Sequence, residues 1–162
     1  MTKQDFINNY WESAIEACLD TPIFPLLALA ESAVESAWGE SELTKEANNF
    51  LGIKSSLSWE EGGGSYVVKK TREVIDGKPV MVNAKFRKYP TPADCYKNYV
   101  HFVTQPNYVS HGVLVAKTPE EQVTAIAAAG YATDPDYAHK IISVMNGLRP
   151  LLPNVVCRLP AA

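Results

Sequence analysis

The chain has 162 residues, 46% of them hydrophobic and 20% charged, which suffices for one ordinary globular core over residues 1–162 and not for two. Fifteen Lys and Arg against eighteen Asp and Glu give a net charge of -3 and a pI near 5.6, so no overall basic field exists to hold a nucleic acid. The longest apolar run, Ile23 to Ala30, is eight residues long and contains Pro25; a membrane span needs about 20, so no membrane insertion is expected.

The polar start, Met1 to Asp5, carries no secretory signal, and the chain is expected to be made in the cytoplasm without an export tag. Thr2 and Asp5 form a cap-like pair ahead of apolar or small residues at 6/7, 10/11, 14/15 and 18/19, which predicts an amphipathic helix ending near Asp20. Thr21-Pro22 opens a second helix, carried through Leu26 to Trp38 with Gly39 as its stop. Asn48-Asn49, Gly52 and Gly62-Gly63-Gly64 then turn the chain into loops and short extended pieces. Ser65 to Tyr89 is rich in Val, Ile, Thr and aromatics around Asp76-Gly77, the signature of a two-residue hairpin turn, and Pro79 puts the start of the second strand on an exposed edge. Thr91-Pro-Ala-Asp94, Thr118-Pro-Glu-Glu121 and Asp134-Pro135 start three further helices, with Gly130 and Gly147 as stops for two of them. The order predicts an α+β fold dominated by helix.

Three cysteines, Cys18, Cys95 and Cys157, lie far apart with no C-x-x-C pair, and are expected to be buried thiols. His101, His111 and His139 have no ligand spacing, so neither a metal nor a cofactor is expected.

Charge is unevenly spread: residues 1–44 hold one Lys and eight acids, residues 45–97 ten bases and six acids, and the rest four of each. This is either an acidic face opposing a basic one across a polarised cleft, or the ordinary solvated surface of helices. On the wheel of the second helix Leu26, Leu29, Ala30, Ala33, Val34 and Ala37 share the apolar face, with Glu31 just beyond its margin and Glu35 nearly opposite. By the wheel alone both are surface acids. Glu31, Glu40 and Glu42 nevertheless crowd Glu35 in sequence without a base among them, and crowded acids keep a carboxyl protonated for general-acid work. On the hairpin, a two-residue turn pairs Ile75 with Lys78, Glu73 with Val80, Thr71 with Val82, Lys69 with Ala84 and Val67 with Phe86. That register puts Glu73 on the apolar face, where it pairs with Lys69, reflects a different register, or has a function. One carboxylate on a helix and one on a hairpin are what glycoside hydrolysis asks for.

The stretch Ala30-Glu-Ser-Ala-Val-Glu-Ser-Ala-Trp-Gly-Glu-Ser41 resembles the catalytic helix of glycoside hydrolase family 73, peptidoglycan N-acetylglucosaminidases of bacteria and phages with flagellar and autolysin members, in its E-S-x-W-G-x-S pattern. Three blocks follow in the family's order. Asn48-Asn-Phe-Leu-Gly-Ile-Lys54 is similar to its N-x-F-G-I-K turn, Ala84-Lys-Phe-Arg-Lys-Tyr89 to its A-x-F-R-x-Y strand, and Gly130-Tyr-Ala-Thr-Asp-Pro-Asp-Tyr-Ala-His-Lys140 to its G-Y-A-T-D-P-x-Y-A motif. The similarity runs from about Pro22 to Leu148.

The resemblance implies a lysozyme-like fold, a mostly helical lobe and a small β-hairpin lobe with a glycan-binding groove between them. It implies that Glu35 is the general acid, Glu73 the second carboxylate and Tyr131 a residue facing the reacting sugar. Asn49 and Phe50 are its substrate contacts, although Phe50 and Leu51 stand exchanged relative to a family pattern with Phe directly before Gly-Ile-Lys. Tyr108 and Tyr137, with Trp38, Tyr66 and Tyr89, are candidates for stacking on sugars or for packing. The implied reaction is hydrolysis of the β-1,4 bond of peptidoglycan glycan strands on the N-acetylglucosamine side by a monomer, with Glu73 or the substrate's own acetamide acting in the second half. A lytic transglycosylase and a non-catalytic glycan-binding or assembly protein are the alternatives on the same fold. A wall hydrolase lacking an export tag suits a phage lysin, a virion component or a contact-delivered enzyme.

Overall fold

Capping chemistry sets where the long helices begin. In the computed structural model, which describes residues 1–154, Thr2 and Asp5 close a capping box at the start of α1 (Lys3–Cys18). A proline opens α2 (Pro25–Glu35), and Thr91 with Asp94 closes a second box ahead of α5 (Pro92–Val103). Thr118 accepts from the Glu121 amide ahead of α7 (Pro119–Ala128). The last helix, α8 (Tyr137–Leu148), starts two residues after Pro135, and Asp134 Oδ1 accepts from the Asp136 amide at 2.9 Å in the turn before it. Gly130 follows α7 as predicted, but Gly147 lies inside α8, where its missing side chain leaves space for the Lys3 amino group.

Three helices escape the sequence pattern: α3 (Glu42–Ala47), α4 (Leu57–Glu61) and α6 (Pro106–Ser110). Each has one to two turns, too short for a hydrophobic period to declare itself. The capping serines of the first two, Ser41 and Ser56, are their only local signal.

β1 (Ser65–Ile75) and β2 (Lys78–Lys88) pair antiparallel in the register expected, Glu73 opposite Val80 and Val67 opposite Phe86. Asp76 and Gly77 both take left-handed φ, 50° and 75°, as the tight turn requires. At the base of the hairpin, residues 53–55 run beside β2 as a short third rung. There Arg87 N–H donates to the Ile53 carbonyl and Ser55 N–H to the Lys85 carbonyl, both at 2.9 Å.

The core is built around α2, which packs against α1, α5, α7 and α8. Every residue from Leu26 to Ala33 is buried, so over its first turns this helix has no solvent side. That corrects the amphipathic wheel. Glu31, read as a surface acid, is 0% exposed, while Val34, read as core, is 39% exposed where the helix runs out of its neighbours. Buried Gln122 clamps the approach to α2, accepting from Phe24 N–H at 2.9 Å and donating to the carbonyls of Pro22 and Val113. Cys18 and Cys95 are buried free thiols; Cys157 lies outside the described residues. Among the described residues no helix is long and apolar enough to cross a membrane.

Candidate active site

The end of α2 explains the E-S-x-W-G-x-S pattern residue by residue. Ser36 folds back, its hydroxyl donating to the Ser32 carbonyl and accepting from Gly39 N–H at 2.8 Å. The chain then makes a left-handed turn through Ala37, Trp38 and Gly39, with φ of 51°, 58° and 76°. Trp38 packs edge-on against Phe6 at 5.6 Å, and a Cβ at Gly39 would crowd the Tyr10 ring at 3.3 Å. Ser41 caps α3. The helix therefore ends at Glu35 rather than at Trp38, three residues earlier than the sequence predicts. Non-glycine residues in this backbone region are strained, and such strain collects at functional sites.

Glu35 faces a groove of about 780 Å³. Leu51, Gly52 and Ile53 form one wall with Arg87 of β2, while Asn98, Tyr99, His101, Phe102 and Gln105 come from α5 and its end, and Tyr131 and Ala132 from the loop before α8. Asn98, Phe102 and Gln105, spaced i, i+4, i+7, form one stripe of α5. Asn98 Oδ1 accepts from both the Arg87 guanidinium at 2.8 Å and the Tyr89 hydroxyl at 2.7 Å, tying the hairpin base to that helix. Arg87 also stacks over the Trp59 ring at 4.7 Å. Thus the A-x-F-R-x-Y block joins the two lobes: Phe86 is buried, Arg87 and Tyr89 share Asn98.

Burial raises the Glu35 carboxyl above its ordinary pKa. The crowd of acids named from the sequence is not the cause. Glu40 is drawn down to about 2 by Lys45 and the Met1 amino group, and Glu42 lies 3.4 Å from Lys69. Burial pushes the Tyr131 hydroxyl well up, and the neighbouring Glu31 and Glu35 carboxyls oppose a second negative charge beside them. Its ring lies tilted against Tyr137 at 5.4 Å and meets Tyr99 edge-on at 6.1 Å.

The groove brings Glu35 and Tyr131 together and leaves out the other expected site residues. Glu73 lies on the expected face of β1, but it pairs with Lys54 rather than Lys69, and it is not among the residues lining the groove. Asn49 is 1% exposed, its amide donating to the Ile53 and Arg87 carbonyls at 2.9 Å and its oxygen accepting from Ile53 N–H at 3.0 Å. It shapes the wall instead of touching what lies in it. Phe50, also 1% exposed, stacks on Tyr96 at 5.5 Å in the core, and the exchanged Leu51 takes the groove position. Tyr108 and Tyr137 are buried, the first against Phe102, the second against Tyr131. Of the residues that sequence reasoning missed, Asn98, Phe102 and Gln105 carry one signal, the polar and aromatic stripe along α5 and its end, and Arg87 another, its place in the A-x-F-R-x-Y block; His101 carries none.

The two-lobed α+β fold with a solvent-reachable carboxyl of raised pKa lining an interlobe groove defines a lysozyme-like glycan-cleaving class of domain. The model of the glucosaminidase family, described as mannosyl-glycoprotein endo-β-N-acetylglucosaminidase, matches residues 11–150. The chain belongs to that family, glycoside hydrolase family 73. The exo-glucosaminidase LytG of Bacillus subtilis is 37% identical over 127 residues, 76% of this chain and 43% of that protein. The peptidoglycan hydrolase FlgJ of Salmonella typhimurium is 35% identical over 130 residues, 77% of this chain and 40% of that protein. The chain thus spans about two fifths of the length of these curated relatives. Among solved structures, a C-terminally truncated glycoside hydrolase domain of the same FlgJ superposes with a TM-score of 0.77 at 32% identity, covering 92% of this chain and 99% of that one. The catalytic domain of the autolysin Auto from Listeria monocytogenes gives 0.79 at 31% identity, covering 91% and 84%.

Proposed function

We propose that the chain is a single catalytic domain that acts on the cell wall, cutting within peptidoglycan glycan strands at the β-1,4 bond on the N-acetylglucosamine side. The observation that carries this reading is Glu35, a carboxyl whose pKa is raised by partial desolvation and which lines the groove together with Tyr131. The similarity to FlgJ, a peptidoglycan hydrolase, supports the choice of polymer, and that to LytG, an exo-glucosaminidase, the choice of sugar.

In this reaction Glu35 gives its proton to the glycosidic oxygen as the bond to the anomeric carbon breaks. Tyr131, which shares the groove, orients the substrate's acetamide so that its oxygen attacks that carbon and forms a cyclic oxazolinium intermediate. Water then opens the ring and returns a proton to Glu35. Glu73 is assigned no step while Lys54 holds it; it enters only if the hairpin swings toward the groove and that pair opens.

Zymography on purified walls tests the reading, with clearing expected for wild type and loss in Glu35→Gln. Mass spectrometry of the fragments is expected to show reducing N-acetylglucosamine ends. Anhydro-sugar ends would assign a lytic transglycosylase instead, and wall binding without clearing at any pH a glycan-binding protein.

A further inference from the structure

Behind Glu35 lies a second carboxyl that the reaction above leaves unused. Glu31 sits one helical turn earlier on α2, in the i, i+4 relation that makes two side chains neighbours. It is fully buried, and neither of its carboxyl oxygens has a hydrogen-bond partner among the described residues. The titratable groups facing it come from three elements: Glu35 on its own helix, Tyr99 on α5 and Tyr131 ahead of α8. The Tyr99 hydroxyl is buried and unpartnered as well. No cation is paired with Glu31 among the described residues. An unpaired carboxylate in such a place is far costlier than the neutral acid, so Glu31 keeps its proton.

We propose that Glu31 is a positioning residue for the general acid, its carboxylic O–H donating to the Glu35 carboxylate once Glu35 has given its proton to the leaving oxygen. This rests on Glu35 being the acid. Before proton transfer Glu35 is neutral and needs no donor, which accounts for the unpartnered Glu31 of the free protein. After transfer a carboxylate stands where partial enclosure by the groove disfavours charge, and the O–H four residues back on the helix is the donor on its inner side. The proton of Glu31 stays on Glu31; Glu35 recovers its own from the attacking water, so no additional proton source is required.

Two substitutions separate the donor from the packing. Glu31→Met keeps the length of the side chain and removes the donor, whereas Glu31→Gln keeps one in its amide. Glu31→Met is expected to lower kcat about tenfold or more with KM unchanged, the worth of one hydrogen bond to a charged group. It also moves the alkaline limb of the pH profile up by about one unit, because Glu35 without its donor holds its proton more tightly. Glu31→Gln is expected to keep both near wild type. A readout independent of turnover is the infrared carbonyl band of a protonated carboxyl at neutral pH, present in Glu35→Gln and lost when Glu31→Gln is added. Wild-type kcat and pH limb in Glu31→Met, equal losses in the Met and Gln variants, or no such band in Glu35→Gln each overturn the proposal. Full activity in Glu35→Gln would overturn the assignment of the acid instead.

Discussion

The helical lobe and the hairpin treat carboxylates in opposite ways. Around α2, charge is governed by burial: Glu31 and Glu35 are both pushed up, in the order of how completely each is enclosed. On the hairpin side, charge is governed by pairing. Glu60 is pulled down by Lys85 and Ser55, Lys69 lies 2.6 Å from Glu46, and Lys54 takes Glu73. Five of the ten bases of residues 45–97 are held in ion pairs, and those of Lys54, Lys69 and Lys85 stitch the hairpin to its flanking segments. The packed lobe raises the pKa of its carboxyls, whereas the hairpin gives Glu73 a lysine partner, and this is where the two carboxylates of the sequence reading part company.

The largest break in that contrast is Glu35→Gln, which keeps the shape of the groove and removes the proton. Hydrolysis of isolated walls, followed as new reducing ends, is expected to fall about 10²–10⁴-fold, the range of a general acid. Tyr131→Phe keeps the ring on Tyr137 and removes the hydroxyl that orients the acetamide, so kcat should drop about 10- to 100-fold, in line with one transition-state hydrogen bond. An undiminished kcat in that variant would return the second half of the reaction to Glu73.

Burial of Glu31 also predicts a stability signature. Its pKa is raised in the folded state from an ordinary 4.5, so the folded protein binds a proton that the unfolded chain has lost. Above about pH 4.5 this acid therefore costs stability, by up to about 1.4 kcal/mol per pH unit until the folded pKa is reached, and below the unfolded value it costs none. Urea titrations from pH 4 to pH 7 should show that Glu31→Gln gains stability relative to wild type as pH rises. A parallel pH dependence for the two proteins would mean that Glu31 is ionised in the fold.

How far the sequence foretold this can be seen at particular residues. Thr2, Thr91 and Thr118 each carry a local rule, a hydroxyl two or three residues ahead of an orphan amide, and their helices begin there. Asp76-Gly77 likewise imposes the hairpin register, because the turn fixes every pair above it. The wheel misplaces Glu31 because it assumes one wet face, and only tertiary packing reveals that four helices close over α2. Asn49 and Phe50 were assigned by motif to substrate, yet a motif records position without direction; their side chains point into the wall and the core. Glu35 stood out by pattern alone, and the physical reason for its raised pKa was invisible until its surroundings were folded.

The smallest expected effect separates pairing from chemistry on the hairpin. Glu73 and Lys54 are both partly solvated, with side chains 35% and 53% exposed, and their pair ties the segment next to the groove wall to the turn end of β1. If Glu73 only anchors the hairpin, Glu73→Gln and Lys54→Met should reduce turnover alike and by about fivefold at most, the worth of an exposed ion pair. Added salt should narrow even that difference, since screening already weakens the pair in wild type. If instead Glu73 reaches the reacting carbon when the hairpin moves, the two substitutions part in sign: Glu73→Gln lowers kcat by orders of magnitude, while Lys54→Met, which frees the carboxylate, leaves it unchanged or raises it. Measuring both variants on one wall preparation at low and high salt decides whether the stitched lobe contributes geometry or chemistry.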